Sequence, residues 1–167
     1  MKKFFAIIAL FSLSLLTTQS FAQMSIDKGT KFVNLGIGVG GGGFYYGSAL
    51  SFNAAADFGI AKNITVGGAV GFRSFGKGFG GFDIGPRASY HFNELIKTPE
   101  AIDLYAGLGI SYFGYTGGAS SFYDASFISV PFHVGGRYFF SEKLGGFAEI
   151  GSAISILKVG VTFKLGQ

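Results

Sequence analysis

The sequence contains no cysteine and few charged residues, and each shortage excludes a class of structure. Without cysteine, the 167-residue chain can form no disulfide, bind no metal through thiolates and carry no lipid anchor on a cysteine. Charged residues make up only 13% of the chain, about half the usual share for a water-soluble domain. Beyond the N-terminal segment no stretch approaches eighteen consecutive apolar residues, so we predict no transmembrane helix there.

The N-terminus has the three regions of a secretory signal peptide. Two lysines are followed by a short apolar segment and by the small-residue cleavage site Ser20-Phe21-Ala22. The apolar segment is short for a bilayer span, which disfavours an uncleaved anchor. We therefore predict that residues 1–22 are removed by cleavage between Ala22 and Gln23, and that residues 23–167 form one exported domain.

After Lys28 the sequence alternates apolar and polar residues with a period of two, which is the pattern of β-strands. Breaks rich in Gly, Ser and Asn divide this region into eight runs, and no helical periodicity appears. The predicted strands are Thr30–Gly40, Ser48–Ile60, Ile64–Arg73, Phe82–Phe92, Ala101–Phe113, Phe127–Phe140, Leu144–Gly151 and Ser155–Leu165.

Each predicted strand has one apolar face and one polar face. A soluble barrel turns its apolar face inward, whereas a membrane barrel turns it outward. Three features favour the outward orientation here. The polar face is rich in glycine, which a crowded eight-stranded lumen needs and a solvated surface does not. The apolar face carries aromatic residues at both strand ends, as the interfacial girdles of membrane barrels do. These aromatic residues are Phe58, Tyr90, Phe92, Tyr138, Phe140 and Phe163 at one rim, and Phe72, Phe82 and Tyr112 at the other.

The third feature is a near balance of acidic and basic residues on the polar face. A narrow lumen requires such pairing, because an unpaired buried charge is costly. Both histidines of the chain fall on the same face, where we expect them to be hydrogen-bonded. The predicted lumen network comprises Asp57, Arg73, Asp83, Arg87, His91, Asp103, His133, Arg137, Glu149 and Lys158.

The lengths of the connections predict an orientation in the membrane. An even number of strands places both ends of the mature chain on one side, and the short turns on that side indicate the periplasm. The opposite, outer loops are rich in glycine and aromatic residues. They are predicted at residues 41–47, 74–81, 114–126 and 152–154.

The signal peptide, the eight amphipathic strands, the pair GGRYFFSEKLGGFAEIG and the closing LKVGVTFKL together resemble the small bacterial outer-membrane β-barrel proteins of the OmpA/OmpX-like type. The resemblance covers the whole mature chain. It implies an all-β fold, an eight-stranded antiparallel up-and-down transmembrane barrel. It also implies outer-membrane lipid and lipopolysaccharide as surroundings, and insertion by the barrel-assembly machinery. That machinery commonly recognises a terminal aromatic residue, whereas here the last aromatic residue, Phe163, lies four residues before the end.

Sequence motifs for catalysis or cofactor binding are weak in this chain. Residues 36–41 match G-x-G-x-x-G, but a strand rather than a helix follows, so no dinucleotide site is expected. Residues 71–78 resemble a phosphate-binding loop but end in glycine where a hydroxyl is needed for magnesium. Ser129 and His133 share a face without a third, orienting acid. We therefore predict no catalytic residue, no cofactor and no metal site, and the scattered basic residues predict no nucleic-acid binding.

The sequence predicts a barrel with a structural role, or with a recognition role in its outer loops, around a lumen filled by side chains. Two alternatives remain open at this stage: a narrow channel for ions or small solutes, and a soluble periplasmic barrel that binds a ligand. No surface ligand can be identified from the loops.

Overall fold

A computed structural model describes residues 24–41, 50–76, 79–117 and 126–166. The predicted signal peptide with its cleavage site at Ala22 and Gln23 lies outside these residues, as do parts of three predicted outer loops. The elements are β1 (Lys31–Val39), β2 (Ser51–Ala61), β3 (Ile64–Gly76), β4 (Phe79–His91), α1 (Asn93–Ile96), β5 (Ile102–Gly109), β6 (Ser111–Gly117), β7 (Phe127–Ser129), β8 (Phe132–Phe139), β9 (Leu144–Gly151) and β10 (Leu157–Lys164).

The strands close into one antiparallel barrel. β1 pairs with both β2 and β10, so the first and last strands are neighbours. β5 and β6 both pair with β4 and together form the fifth barrel strand. β7 pairs with β6, and β8 pairs with β5 and β9, so β7 and β8 form the sixth. The prediction of eight antiparallel strands in a closed barrel is confirmed.

Two prolines explain why the predicted fifth and sixth strands are each interrupted. The backbone of Ile110, between β5 and β6, donates to the carbonyl of Pro86 on one side, at 3.0 Å. Its neighbour Gly109 donates to the carbonyl of Pro131 on the other side, at 2.8 Å. Because proline has no N–H, neither Pro86 nor Pro131 can return a hydrogen bond, and regular pairing stops at both places.

The burial of side chains alternates along the strands as the sequence predicts. In β10, Leu157, Val159 and Val161 point outward and are exposed, whereas Lys158 and Thr162 point inward and are buried. The largest fully buried side chain in the described chain is that of Arg137. The apolar rows therefore cover the outside of the barrel, and the polar rows line its lumen. Among the described residues, no helix has the length and hydropathy needed to cross a membrane.

Aromatic residues gather at both ends of the outer surface. At the end that carries the termini, Tyr90 packs edge-on against Phe92 and Tyr138 against Phe140, with ring centroids 5.1 and 5.8 Å apart. At the other end, Phe82 lies 6.1 Å from Tyr112. Between these two bands the outward side chains are mostly aliphatic or small.

Both mouths of the barrel are closed by short segments outside the strands. At the end that carries the termini, Met24 and Ile26 pack with the inward-facing Phe32 and Phe139 in an apolar cluster. At the opposite end the turn between β9 and β10 folds inward, and its Ile154 is only 3% exposed. The predicted loop at residues 152–154 is thus only partly at the surface: Ser152 is exposed, whereas Ile154 forms a stopper for the lumen.

Candidate functional site in the barrel lumen

Arg137 lies in the lumen and connects its own strand, β8, with the neighbouring β5 and with β1 and β2 across the lumen. Its guanidinium donates from Nη1 to Asp103 Oδ2 at 2.6 Å and from Nη2 to Asp57 Oδ2 at 2.7 Å. Its Nε donates to Asn34 Oδ1 at 3.2 Å. The planar fork of arginine suits this role, because its donors diverge and remain charged at any physiological pH.

Arg87 forms a second set of ion pairs in the lumen, next to that of Arg137. It binds both oxygens of Asp57, from Nε at 2.7 Å and from Nη2 at 2.6 Å. Its Nη1 donates to Glu149 Oε2 at 2.9 Å, and Lys158 Nζ donates to Glu149 Oε1 at 2.8 Å. Asp57 is therefore shared between Arg87 and Arg137, so that one continuous set of ion pairs connects β2, β4, β5, β8, β9 and β10.

We call this set of ion pairs the ionic layer. Its positive and negative charges are equal in number. It contains three carboxylates and three cations, and each is buried. Its members are Asp57, Asp103 and Glu149 with Arg87, Arg137 and Lys158. Burial requires this balance, since removal of either partner would leave an uncompensated charge away from bulk water.

His91 extends the ionic layer toward the end that carries the termini. Its Nδ1 lies 2.6 Å from Asp103 Oδ1, and because an ionised carboxylate only accepts, Nδ1–H is the donor. Its Nε2 lies 3.0 Å from the hydroxyl of Thr65. This hydroxyl–imidazole–carboxylate order resembles that of hydrolase triads. However, all three side chains are fully buried, and Asp103 is already bound to Arg137 and to Asn93.

His133 is a lumen residue but is not bonded to the ionic layer. Its Nε2 lies 2.7 Å from the hydroxyl of Ser89 on the neighbouring β4. The pairing of His133 with Ser129 that the sequence suggested is not what the structure shows. Ser129 instead lies in β7, opposite Ser111. Within the described residues, no group of three or more His, Asp or Glu side chains is arranged to hold a metal ion.

Arg73 and Asp83 lie outside the ionic layer, at the mouth opposite the termini. The Arg73 guanidinium donates to the carbonyl of Gly40 and, at 3.4 Å, to Ser155 Oγ. Asp83 Oδ2 accepts from the backbone N–H of Ile154 at 3.3 Å. Both residues therefore hold the inward-folded turn before β10 rather than the centre of the lumen. The predicted network thus divides into the ionic layer with His91, this separate contact with the turn before β10, and His133, which bonds to neither.

Aromatic residues in the lumen were not predicted as part of the site. The Arg137 guanidinium lies between two rings, with its carbon 4.4 Å from the centroid of Phe32 and 4.2 Å from that of Tyr105. The Tyr105 hydroxyl also donates to Glu149 Oε2 at 3.1 Å. Gly135 makes room for this ring, because a Cβ there would lie 2.6 Å from the Tyr105 hydroxyl oxygen.

A cavity of about 50 Å³ lies beside the ionic layer, on the side of the β9–β10 turn. Arg87, Glu149, Lys158 and His133 line it, together with Asn34. The amide nitrogen of Asn34 is buried there without a hydrogen-bond partner. A polar space of this size suits a few water molecules.

The sequence matches no protein-family profile and no curated protein. Solved structures do match the fold. A de novo designed transmembrane β-barrel aligns with 85% of this chain and 100% of its own, at a TM-score of 0.57 and 18% identity. The chain has the fold of the small transmembrane β-barrels.

Two natural barrels support the same assignment of the fold. The N-terminal barrel domain of Pseudomonas aeruginosa OprF aligns over 86% of this chain and 98% of its own, at a TM-score of 0.56 and 14% identity. Neisserial surface protein A aligns over 81% of this chain and 96% of its own, at a TM-score of 0.54 and 14% identity.

Proposed function

We propose that this barrel is integral to a bacterial outer membrane and acts as a rigid scaffold that presents surface loops for recognition. The proposal rests on the difference between the outer and inner faces of the barrel wall. Outside, an apolar band is bounded at both rims by aromatic rings. Inside, a charge-balanced layer is buried. A soluble carrier would need the reverse arrangement, with an apolar interior and a polar exterior.

The lumen supports a structural role rather than conduction. A permeating ion would have to pass the Ile154 stopper, the ionic layer and the Met24–Ile26 cluster in turn. The guanidinium of Arg137 spans the lumen between Asp57 and Asp103, so the path is filled by bonded side chains. In a planar bilayer we expect no steady open-channel steps. Such steps would favour the narrow channel instead.

We also propose a non-enzymatic role, which the same closure supports. With both mouths closed as described above, the histidine–carboxylate pair of His91 and Asp103 is out of reach of a substrate, because the side chains around it are buried and mutually bonded. Recognition would therefore fall to the loops at the mouth opposite the termini. The partners that fit this proposal are membrane lipid and lipopolysaccharide around the wall, the barrel-assembly machinery during insertion, and a surface ligand held by the loops.

Localisation of the mature chain tests the proposal. We expect the protein in the outer-membrane fraction, and we expect the folded form to migrate differently from the heated form on a gel, as closed membrane barrels often do. Protease added to intact cells should cut only in the loops opposite the termini. Recovery of the protein in the soluble periplasmic fraction would overturn the proposal in favour of a soluble carrier.

A further inference from the structure

The segment Met24–Thr30, which we call the strap, crosses the mouth of the barrel at the end that carries the termini. Met24 lies near β10, where Lys164 Nζ is 3.9 Å from its sulfur. The carbonyl of Ile26 accepts from the N–H of Asn63 on the far side, in the β2–β3 turn, at 2.8 Å. The strap therefore spans the opening instead of extending away from it.

The strap covers the mouth with apolar side chains. Ile26 is fully buried and Met24 is 3% exposed, and both pack on the inward-facing Phe32 and Phe139. Phe32 in turn stacks on His91, with ring centroids 6.2 Å apart, and His91 bonds to Thr65. The strap is thus the layer that separates these buried polar side chains from water.

Few contacts hold the strap compared with the strand ladders beside it. Gly29 and Thr30 exchange two backbone hydrogen bonds with Gly59, at 2.9 and 2.7 Å, and Asn63 supplies a third. Gly59 also lets the strap lie close, because a Cβ at this position would meet the carbonyl oxygen of Asp27 at 2.1 Å. The apolar cluster and one glycine therefore determine whether the strap docks.

We propose that the strap is a releasable lid, and that its release opens a vestibule at this end of the barrel as far as the ionic layer. Thr65 and His91 become accessible to water when the lid leaves. The lumen stays closed beyond them, because Arg137 and Arg87 belong to the barrel wall and do not depend on the strap. The lid therefore controls access to a pocket, not flow through the barrel.

A thiol-labelling experiment tests this proposal, because the chain has no native cysteine. Thr65→Cys places one thiol behind the strap, and the reagent is a small charged methanethiosulfonate added to barrels folded in detergent micelles. Two independent changes release the strap. Ile26→Asp puts a charge in the apolar cluster, and Gly59→Ala removes the close approach of Asp27. Gly68→Ala is the matched control, since its Cβ would meet only the carbonyl oxygen of Gly85, at an ordinary 3.7 Å.

We expect the thiol to react at least tenfold faster in either release variant than in Thr65→Cys alone or with Gly68→Ala. Heat-modifiable gel migration confirms that each barrel is folded, and Gly59→Ala keeps the test intact if Ile26→Asp fails to fold. Equal rates in all four proteins would overturn the proposal. So would a rate for Thr65→Cys alone equal to that of the exposed position in Lys28→Cys. Steady conductance of the release variants in a planar bilayer would overturn the claim that the ionic layer remains closed.

Discussion

The outer and inner faces of this barrel wall are built on different physical principles. Outward side chains such as Val159 and Val161 are apolar and exposed, and they form no directed bonds because they carry no polar group. Inward side chains such as Arg137 and Asp57 are buried, and each is held by several directed bonds. We infer that the outer face tolerates exchange among apolar residues, whereas the inner face does not tolerate the loss of single members.

The largest effect is expected at the centre of the lumen. Arg137→Ala leaves Asp57 and Asp103 without one cation and leaves a gap between two aromatic rings. Loss of one partner from a buried ionic set costs about 3–5 kcal/mol. Urea unfolding of the barrel in lipid vesicles measures this loss. A change of less than about 1 kcal/mol, in the range of an exposed ion pair, would show that the ionic layer does not stabilise the barrel.

A charge on the outer face should cost somewhat less. Val159→Arg is expected to destabilise the barrel in vesicles by about 2–4 kcal/mol, if the residue lies near the middle of the bilayer. Val159→Leu is the matched control and should fold with nearly unchanged stability, because it remains apolar. Equal stability of the Arg and Leu variants in lipid would mean that this face does not contact hydrocarbon.

A single hydrogen bond within the lumen should have a smaller effect. Tyr105→Phe keeps the ring that packs on Arg137 and removes only the hydroxyl that donates to Glu149. Glu149 keeps Arg87 and Lys158 as donors, so we expect a loss of about 1–2 kcal/mol in the same unfolding experiment. A loss as large as that of Arg137→Ala would indicate that the ring position, and not the hydroxyl bond, had been disturbed.

The smallest effect is expected at the rim. Lys62 forms an exposed ion pair with Glu94 at 2.8 Å. The hydrogen bond between them lowers the pKa of Glu94 and raises that of Lys62. Any stabilisation from Glu94 is therefore present above the ordinary pKa of a glutamate and is lost as pH falls through its lowered value. Because Lys62 is exposed and Glu94 is partly exposed to solvent, Lys62→Ala should leave the unfolding midpoint unchanged at neutral pH. A clear shift would mean that the rim is more rigid than we describe.

The sequence predicted the faces of the strands well because a period of two is a direct consequence of strand geometry. It did not predict Phe32, Phe139 and Phe147 as lumen residues, because an apolar side chain in a polar row looks like an irregularity until its neighbours are known. A signal for the strap was present. The inward, even-numbered row of β1 continues into the strap at Met24, Ile26 and Thr30. The short polar run around Asp27 and Gly29 made this continuation hard to recognise.

Two features could not be predicted without the three-dimensional structure. They are the interruptions of the fifth and sixth barrel strands and the division of the lumen network. Pro86 and Pro131 were visible in the sequence, yet their joint effect on Gly109 and Ile110 depends on the register of three strands. Likewise, Arg73 and Asp83 were predicted to belong with the other lumen charges because of charge balance alone. Only the inward fold of the turn at Ile154 assigns them to the stopper.

The most direct test of the central claim is the environment of one outward side chain in a bilayer. The chain contains no tryptophan, so Val161→Trp introduces a single fluorescent probe on the outer face. In vesicles of lipids brominated along the acyl chains, we predict blue-shifted emission that these lipids quench strongly and aqueous iodide does not. Emission typical of water, quenched by iodide and unaffected by brominated lipid, would contradict the membrane orientation of the wall.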